Sequence, residues 1–274
     1  MINQSREATD REIEEICRVL NQRLGFNYTL QKKYLVQSRL NKRLNDLNLN
    51  SYQAYMDLVK QDLGEFNKLV SLVTTNVTSF FREADQFQIL RQELLPNILA
   101  NIKKDNKIRC WSAGCSSGEE AYTLAIVINE TLEKGWDLRV LASDISTVKL
   151  KEGMAGIYPQ ERMVRIPQEL QGKYFTPLIR NPGYYQVKPG LRDQICFRKL
   201  NLVEAMDVPD RIRFDLILCR NVFIYLTPRY QEKAINSFYY YLKDKGYLFL
   251  GHSESLNYED QRWIPLKKSI YRKM

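Results

Sequence analysis

Four stretches of this sequence set polar residues among apolar ones in patterns that could do chemistry. In WSAGCSSGEEAY, an apolar run ends in Gly114 and Gly118 and passes into a helical segment, which brings backbone close to a ligand at a helix N-terminus. The carboxylates Glu119 and Glu120 disfavour a phosphate there, and no Walker lysine follows Gly118, so a cationic ligand suits the turn better. S-adenosylmethionine, with its sulfonium and ammonium, fits that description, whereas a dinucleotide does not. Asp144 closes the next strand-like run, LRVLASD, where a doubly wound fold places the acid that accepts bonds from ribose hydroxyls. In FDLILCRNVFIYL, an apolar strand delivers Arg220, Asn221 and Tyr225 to the carboxyl end of a sheet, where ligands lie in open α/β folds. TTNVTSFFRE interleaves Asn76, Thr78 and Arg82 with Val77, Phe80 and Phe81. Taken singly, each string has a plainer reading: a tight strand-to-helix turn without a ligand, an N-cap at Asp144, a core aromatic at Tyr225, a solvated charge at Arg220.

The elements that would position these residues fall into two textures. The first 75 residues read as helices, with Ile13, Ile16, Val19 and Leu20, then Leu40, Leu44 and Leu47, at helical spacing. Thr9-Asp10 and Ser51 offer N-caps, and Gly25 could close the first long helix. From Lys107 the pattern alternates strand-like and helix-like segments, the grammar of an α/β domain with a parallel sheet and helices on both faces. The interval from Tyr158 to Leu200 breaks it with Pro159, Pro167, Pro177, Pro182 and Pro189 and short alternations such as YYQVKPG and QICFRKL; it is expected to be an inserted antiparallel excursion. The grammar resumes at FDLILCRN, and IPLKKSIYRKM supplies a last strand.

Composition bounds the function. A chain of 274 residues with 44% hydrophobic and 27% charged residues has room for one full-sized domain and a smaller one. No run of apolar residues is long enough to span a membrane, and the N-terminus has no signal-peptide pattern, so a cytoplasmic protein is expected. Five cysteines without a C-x-x-C pair, and a single histidine, predict reduced thiols and no metal. The net charge of +9 draws acidic partners without choosing among nucleic acid, membrane surface and protein.

Six strings in order, TTNVTSFFRE, WSAGCSSGEEAY, ASDIS, NL at 201 and 202, CRNVFIYL and GHSESL, together resemble the CheR family of chemoreceptor methyltransferases over nearly the whole chain. The resemblance implies a small all-α N-terminal domain over residues 1–75, for receptor docking. It implies a class I (Rossmann-like) S-adenosylmethionine-dependent methyltransferase domain over 76–274, with a small antiparallel β subdomain inserted at about 157–200. By matching positions, Asn76, Thr78 and Arg82 would line the cofactor and substrate site, the Gly114 turn would cradle the cofactor, and Glu120 would meet the methionine ammonium. Asp144 would hold the ribose, Asn201 and Leu202 would flank the adenine, and Arg220, Asn221 and Tyr225 would close the pocket around the methyl. Ala121 departs from the proline common after the paired glutamates, and whether Glu119 or Glu120 binds stays open, with Glu120 favoured.

The implied reaction makes glutamate methyl esters on a chemotaxis receptor, with S-adenosylhomocysteine as product and no metal. A carboxylate with pKa near ~4.3 is already a nucleophile at neutral pH, so no general base is needed; Arg82 and Tyr225 are the candidates for positioning it, and His252 is taken as structural. Between Lys32 and Arg43 there is no acid. Lys32, Arg39 and Arg43 fall at i, i+7 and i+11, one helical face with Lys42 beside it, and the resemblance implies that this face docks the acidic helical cytoplasmic region of a receptor. A solvated helix face explains the same run. A nucleic-acid methyltransferase would suit the charge and the 17 tyrosines, but the region that would carry an N-P-P-Y-type string reads CRNVFIY. A non-enzymatic S-adenosylmethionine sensor would be suggested by loss of Arg82 or Tyr225, and both are present. Nothing demands more than a monomer.

Overall fold

The computed structural model describes residues 7–74, 77–102, 105–204, 208–257 and 259–274. Its N-terminal part is helical: α1 (Asp10–Leu24), α2 (Lys33–Asp46), α3 (Tyr52–Gln61) and α4 (Leu63–Val73). Thr9 caps α1 in a reciprocal box with Glu12, Gly25 ends it in the left-handed conformation, and Ser51 caps α3 by accepting from the Ala54 amide. Ile13, Ile16, Leu20, Leu40 and Leu44 are fully buried. Their core is continuous with the face of the sheet that carries Trp111, Ile217 and Leu248, so the helical domain shares a core with the sheet.

A second run of helix, α5 (Ala84–Ile89) and α6 (Leu95–Asn101) joined by a π turn, precedes β1 (Lys107–Ala113). Then come α7 (Glu119–Asn129), β2 (Asp137–Asp144) and α8 (Thr147–Ala155). The insertion follows, with β3 (Ile157–Pro159), α9 (Gln160–Met163), α10 (Gln168–Tyr174), β4 (Phe175–Pro177), β5 (Tyr184–Val187) and α11 (Pro189–Arg192). Its strands form a three-stranded antiparallel sheet in the order β3-β5-β4. The chain returns through β6 (Ile195–Lys199), β7 (Phe214–Cys219), α12 (Pro228–Tyr241), β8 (Leu242–Leu250), β9 (Trp263–Pro265) and β10 (Ile270–Lys273).

The main sheet has the order β6-β2-β1-β7-β8-β10-β9; β6 through β8 run parallel, and β10 and β9 close the far edge antiparallel. From β1 the chain proceeds to β2 on one side and to β7 on the other, so the crevice beyond the carboxyl ends of these three strands is the topological switch point. One expectation is corrected. The QICFRKL run, read as part of the antiparallel excursion, is the edge strand β6 of the main sheet, with Ile195 beside Val140 and Phe197 beside Ala142 in parallel register. Its alternating, half-exposed pattern comes from an edge position, which buries one flank only. The predicted last strand is likewise two short strands, β9 and β10, paired as a hairpin.

Candidate active site

The carboxyl ends of β1, β2 and β7 open into a cleft enclosing about 960 Å³ of empty space including its mouth. Gly114, Ser116, Glu120, Asp144, Arg220 and Asn221 line it from the sheet side; Val77, Thr78 and Arg82 from the segment before α5; Asn201 and Leu202 from the segment after β6; and Tyr225 from the turn after β7. Leu24 and Phe26 of the helical domain complete the wall. The Asn27 amide donates to the Tyr225 carbonyl at 2.8 Å and the Thr227 amide to the Gly25 carbonyl at 3.0 Å, which ties the two domains together at the rim. The sequence-predicted residues Thr78, Arg82, Gly114, Glu120, Asp144, Asn201, Leu202, Arg220, Asn221 and Tyr225 therefore converge on one cleft. Asn76 lies outside the described residues.

The glycine turn lets the backbone approach. Gly114 has φ +82°, and a Cβ there would lie 2.4 Å from Val222 Cγ2; Gly118 has φ +93° against Phe197 and the Gly153 backbone. The two acids that follow Gly118 part company. The Glu119 side chain is 0% exposed and turns away from the cleft toward Arg162 and Ser117. Glu120 lines the cleft with a side chain 14% exposed, accepting from Ser112 Oγ at 2.7 Å and facing Arg220 Nη1 at 3.4 Å. Burial pushes its carboxyl above the ordinary range, against the opposing pull of Arg220 and Ser112. Asp144 is also raised by burial, although the Ser116 and Ser146 amides each donate to it at 2.8 Å.

Arg220 organises the floor. Its side chain is 1% exposed, its Nη2 donates to Glu83 Oε2 at 2.9 Å and to the Arg82 carbonyl, and its guanidinium lies 5.1 Å from the Phe87 ring centroid. Burial alone would raise the Glu83 carboxyl, but Arg220 outweighs it and holds Glu83 below the usual carboxylate range. Beside it, Asn221 adopts φ +59°, and Phe81, Glu83 and Ser116 are also left-handed. Four non-glycine residues in that region around one cleft store backbone strain that surrounding contacts must hold. Glu254, 5% exposed, supplies part of that hold: its Oε2 accepts the Gly251 and Asn221 amides at 2.7 and 2.8 Å and its Oε1 the Phe223 amide at 2.8 Å.

Glu83, Ser112, Ser116 and Glu254 are not singled out by the sequence, although all four sit inside the strings TTNVTSFFRE, WSAGCSSGEEAY and GHSESL. The basic face from Lys32 to Arg43 is corrected in part. Arg39 Nη1 donates to the Leu72, Val73 and Thr74 carbonyls, capping the end of α4, and Arg43 pairs with the buried carboxylate of Glu65. Their spacing puts them on one face, but that face packs on α4 and is not free for docking. Lys42 is exposed, and Lys32 lies beside the cleft-lining Tyr225, its Nζ 5.8 Å from that ring centroid.

The side chains of the cleft leave groups that S-adenosylmethionine would satisfy. Beyond Ser112 and Arg220, Glu120 retains acceptor capacity toward the cleft, and an ammonium there would favour the ionised form that burial disfavours. Arg220 Nε is buried with no partner, a donor available to a carboxylate. Ile145, Leu200 and Leu202 give an apolar part of the lining beside Asp144, the Leu200 amide donating to the Asp144 carbonyl at 3.2 Å. An amino acid group, a diol and a flat ring find matching chemistry, so the residues present fit this cofactor. Among the described residues no cluster of His, Cys, Asp or Glu is placed to hold a metal ion.

Comparison with known proteins gives the same answer from a separate direction. The family profile described as "CheR methyltransferase, all-alpha domain" matches residues 11–74, and "CheR methyltransferase, SAM binding domain" matches 76–271. The chain is 36% identical over 255 residues to the chemotaxis protein methyltransferase of Borreliella burgdorferi, covering 90% of this chain and 89% of that one. It is 33% identical over 270 residues to that of Escherichia coli, covering 96% and 91%. To chemotaxis protein methyltransferase 2 of Pseudomonas aeruginosa it is 34% identical over 274 residues, covering 98% and 95%. With a switch-point cleft that fits S-adenosylmethionine and both domains matched in order, the chain belongs to the CheR family and is an S-adenosylmethionine-dependent methyltransferase.

Proposed function

We propose that the protein methylates glutamate side chains of chemotaxis receptors, giving glutamyl methyl esters in sensory adaptation. The observation that carries this reading is the polarity of the cleft. Its lining presents Glu120 and Asp144 together with Arg82, and Lys32 lies beside the lining Tyr225; neither cation has an ion-pair partner among the described residues. A cationic donor inside and an anionic acceptor at the mouth are the pair such a cleft would bring together.

When bound, S-adenosylmethionine supplies a methyl group on a sulfonium, open to in-line attack by an oxygen nucleophile. Glu120 is assigned the donor's ammonium, Arg220 its carboxylate, Asp144 the ribose hydroxyls, and Asn201 and Leu202 the adenine. Thr78, Gly114 and Asn221 shape the space around the reacting methyl, and Asn76 is assigned there by resemblance alone. Arg82 and Tyr225 orient the incoming glutamate, whose carboxylate is ionised at neutral pH and needs no base. The acceleration comes from alignment and from stripping water off that carboxylate. Docking falls to Lys32 and Lys42, with the acidic helical region of a receptor as partner, and the protein acts as a cytoplasmic monomer. Residues 1–75 and 76–274 are the docking and catalytic domains, the insertion ending before β6.

The test is transfer of radiolabelled methyl from S-adenosylmethionine to receptor-containing membranes, with nucleic acid as a parallel acceptor. Label on the receptor that leaves as methanol in base is expected for an ester. Label on nucleic acid alone would defeat the receptor assignment.

A further inference from the structure

The insertion reaches the back of the glycine turn through Arg162. Glu119, at the first position of α7, is fully buried, and its carboxylate accepts from Ser117 Oγ at 2.7 Å and from Arg162 Nη1. Arg162 belongs to α9 of the insertion, and the same Nη1 reaches Ser117 Oγ at 3.1 Å. Nearby, Tyr158 Oη of β3 donates to the Ser117 carbonyl at 2.6 Å. The turn that lines the cleft with Gly114 and Ser116, and the helix start that presents Glu120, are thus gripped from behind by another subdomain. A carboxylate removed from water is strongly unfavourable unless a cation meets it. Among the described residues Arg162 is the one cation within ion-pair distance of Glu119. Glu119 and Glu120 are consecutive in the first helical turn, so a displacement of one carries the other with it.

We infer that Arg162 is a positioning residue for the methyl donor: it pins Glu119 and so fixes the direction in which Glu120 and the Gly114–Gly118 turn face the cleft. The inference rests on the reading that this turn cradles the donor. Without Arg162, Glu119 must swing toward water, and the start of α7 moves with it. The insertion is then part of the donor site as well as a surface feature.

Calorimetric titration of the full chain with S-adenosylhomocysteine, paired with thermal unfolding, tests the inference. Wild type should bind; if it does not, the donor reading of the turn fails and the inference falls with it. Arg162→Met should weaken binding by about tenfold or more, because the stranded carboxylate reorganises the turn. Adding Glu119→Gln should restore most of that affinity, since the buried charge is gone, and Arg180→Met, an exposed insertion arginine, should bind as wild type. A lowered Tm with unchanged affinity would mean that Arg162 is merely structural and would overturn the inference, as would a loss that Glu119→Gln does not restore. Should Arg162→Met not fold, Arg162→Lys replaces it: weakened binding at unchanged Tm supports the inference, and unchanged binding overturns it.

Discussion

Replacing Arg220 by methionine removes a buried cation that lies between two carboxylates. Glu83 and Glu120, 15% and 14% exposed, approach its guanidinium at 2.9 and 3.4 Å. Breaking a buried pair by deleting one partner costs about 3–5 kcal/mol, and the partial exposure of both acids favours the lower end. At roughly 2–4 °C per kcal/mol for a chain of this class, Arg220→Met should lower Tm by about 6–12 °C at neutral pH. The sign of the pH dependence follows. In wild type, Glu83 lies below its ordinary value near 4.5, so its contribution is present above that pH and is lost as pH falls through the depressed value. In the variant, burial acts on both acids with the Ser112 and Asn221 hydrogen bonds against it and raises them, so the penalty exists only while they are ionised. Acidification toward about pH 5 should therefore narrow the Tm gap. Differential scanning calorimetry of both proteins across pH is the assay, with Arg220→Met/Glu83→Gln as the rescue. A Tm within about 2 °C of wild type, or a gap that widens in acid, would refute the reasoning.

Glu120→Gln should weaken S-adenosylhomocysteine binding by about 10–100-fold, the worth of a charge-assisted hydrogen bond. Its Tm without ligand should hold or rise, because burial already disfavours the ionised acid; titration and calorimetry read the two effects. Gly114→Ala forces a side chain into φ +82° and against Val222 Cγ2, for a loss of about 2–4 kcal/mol measured in denaturant. Adding Val222→Ala should recover the steric share only. Arg82→Met, on a half-exposed side chain, should change stability by less than about 0.5 kcal/mol while sharply lowering methyl transfer at saturating donor; normal transfer would remove Arg82 from the site.

What the sequence discloses here is local, and what it hides is tertiary. Thr9, Gly25 and Ser51 announce their caps because the partners lie within one helical turn. The Gly114 turn and Asp144 are legible for a similar reason: a strand must end and a helix begin at each. Glu83 and Glu254 are not legible, because their work is done on Arg220, Asn221 and Phe223, which only the closed sheet brings near. Arg39 and Arg43 mislead in the same way. Their spacing reports a shared face, and only the packed α4 shows that this face is turned inward. Strand β6 reads as part of the insertion because an edge strand half open to solvent carries a polar alternation whichever sheet it joins.

The most direct test of the account is where the methyl goes. Receptor incubated with the protein and S-adenosylmethionine, then digested and sequenced by mass spectrometry, should carry the added methyl on glutamyl side chains in its acidic helical region. Brief alkaline treatment should remove the mark, and Arg82→Met should lose it. Methyl found on lysine, on an amide or on nucleic acid, or glutamyl methylation undiminished in Arg82→Met, would contradict the account of a cleft that holds a cationic donor within and a carboxylate at its rim.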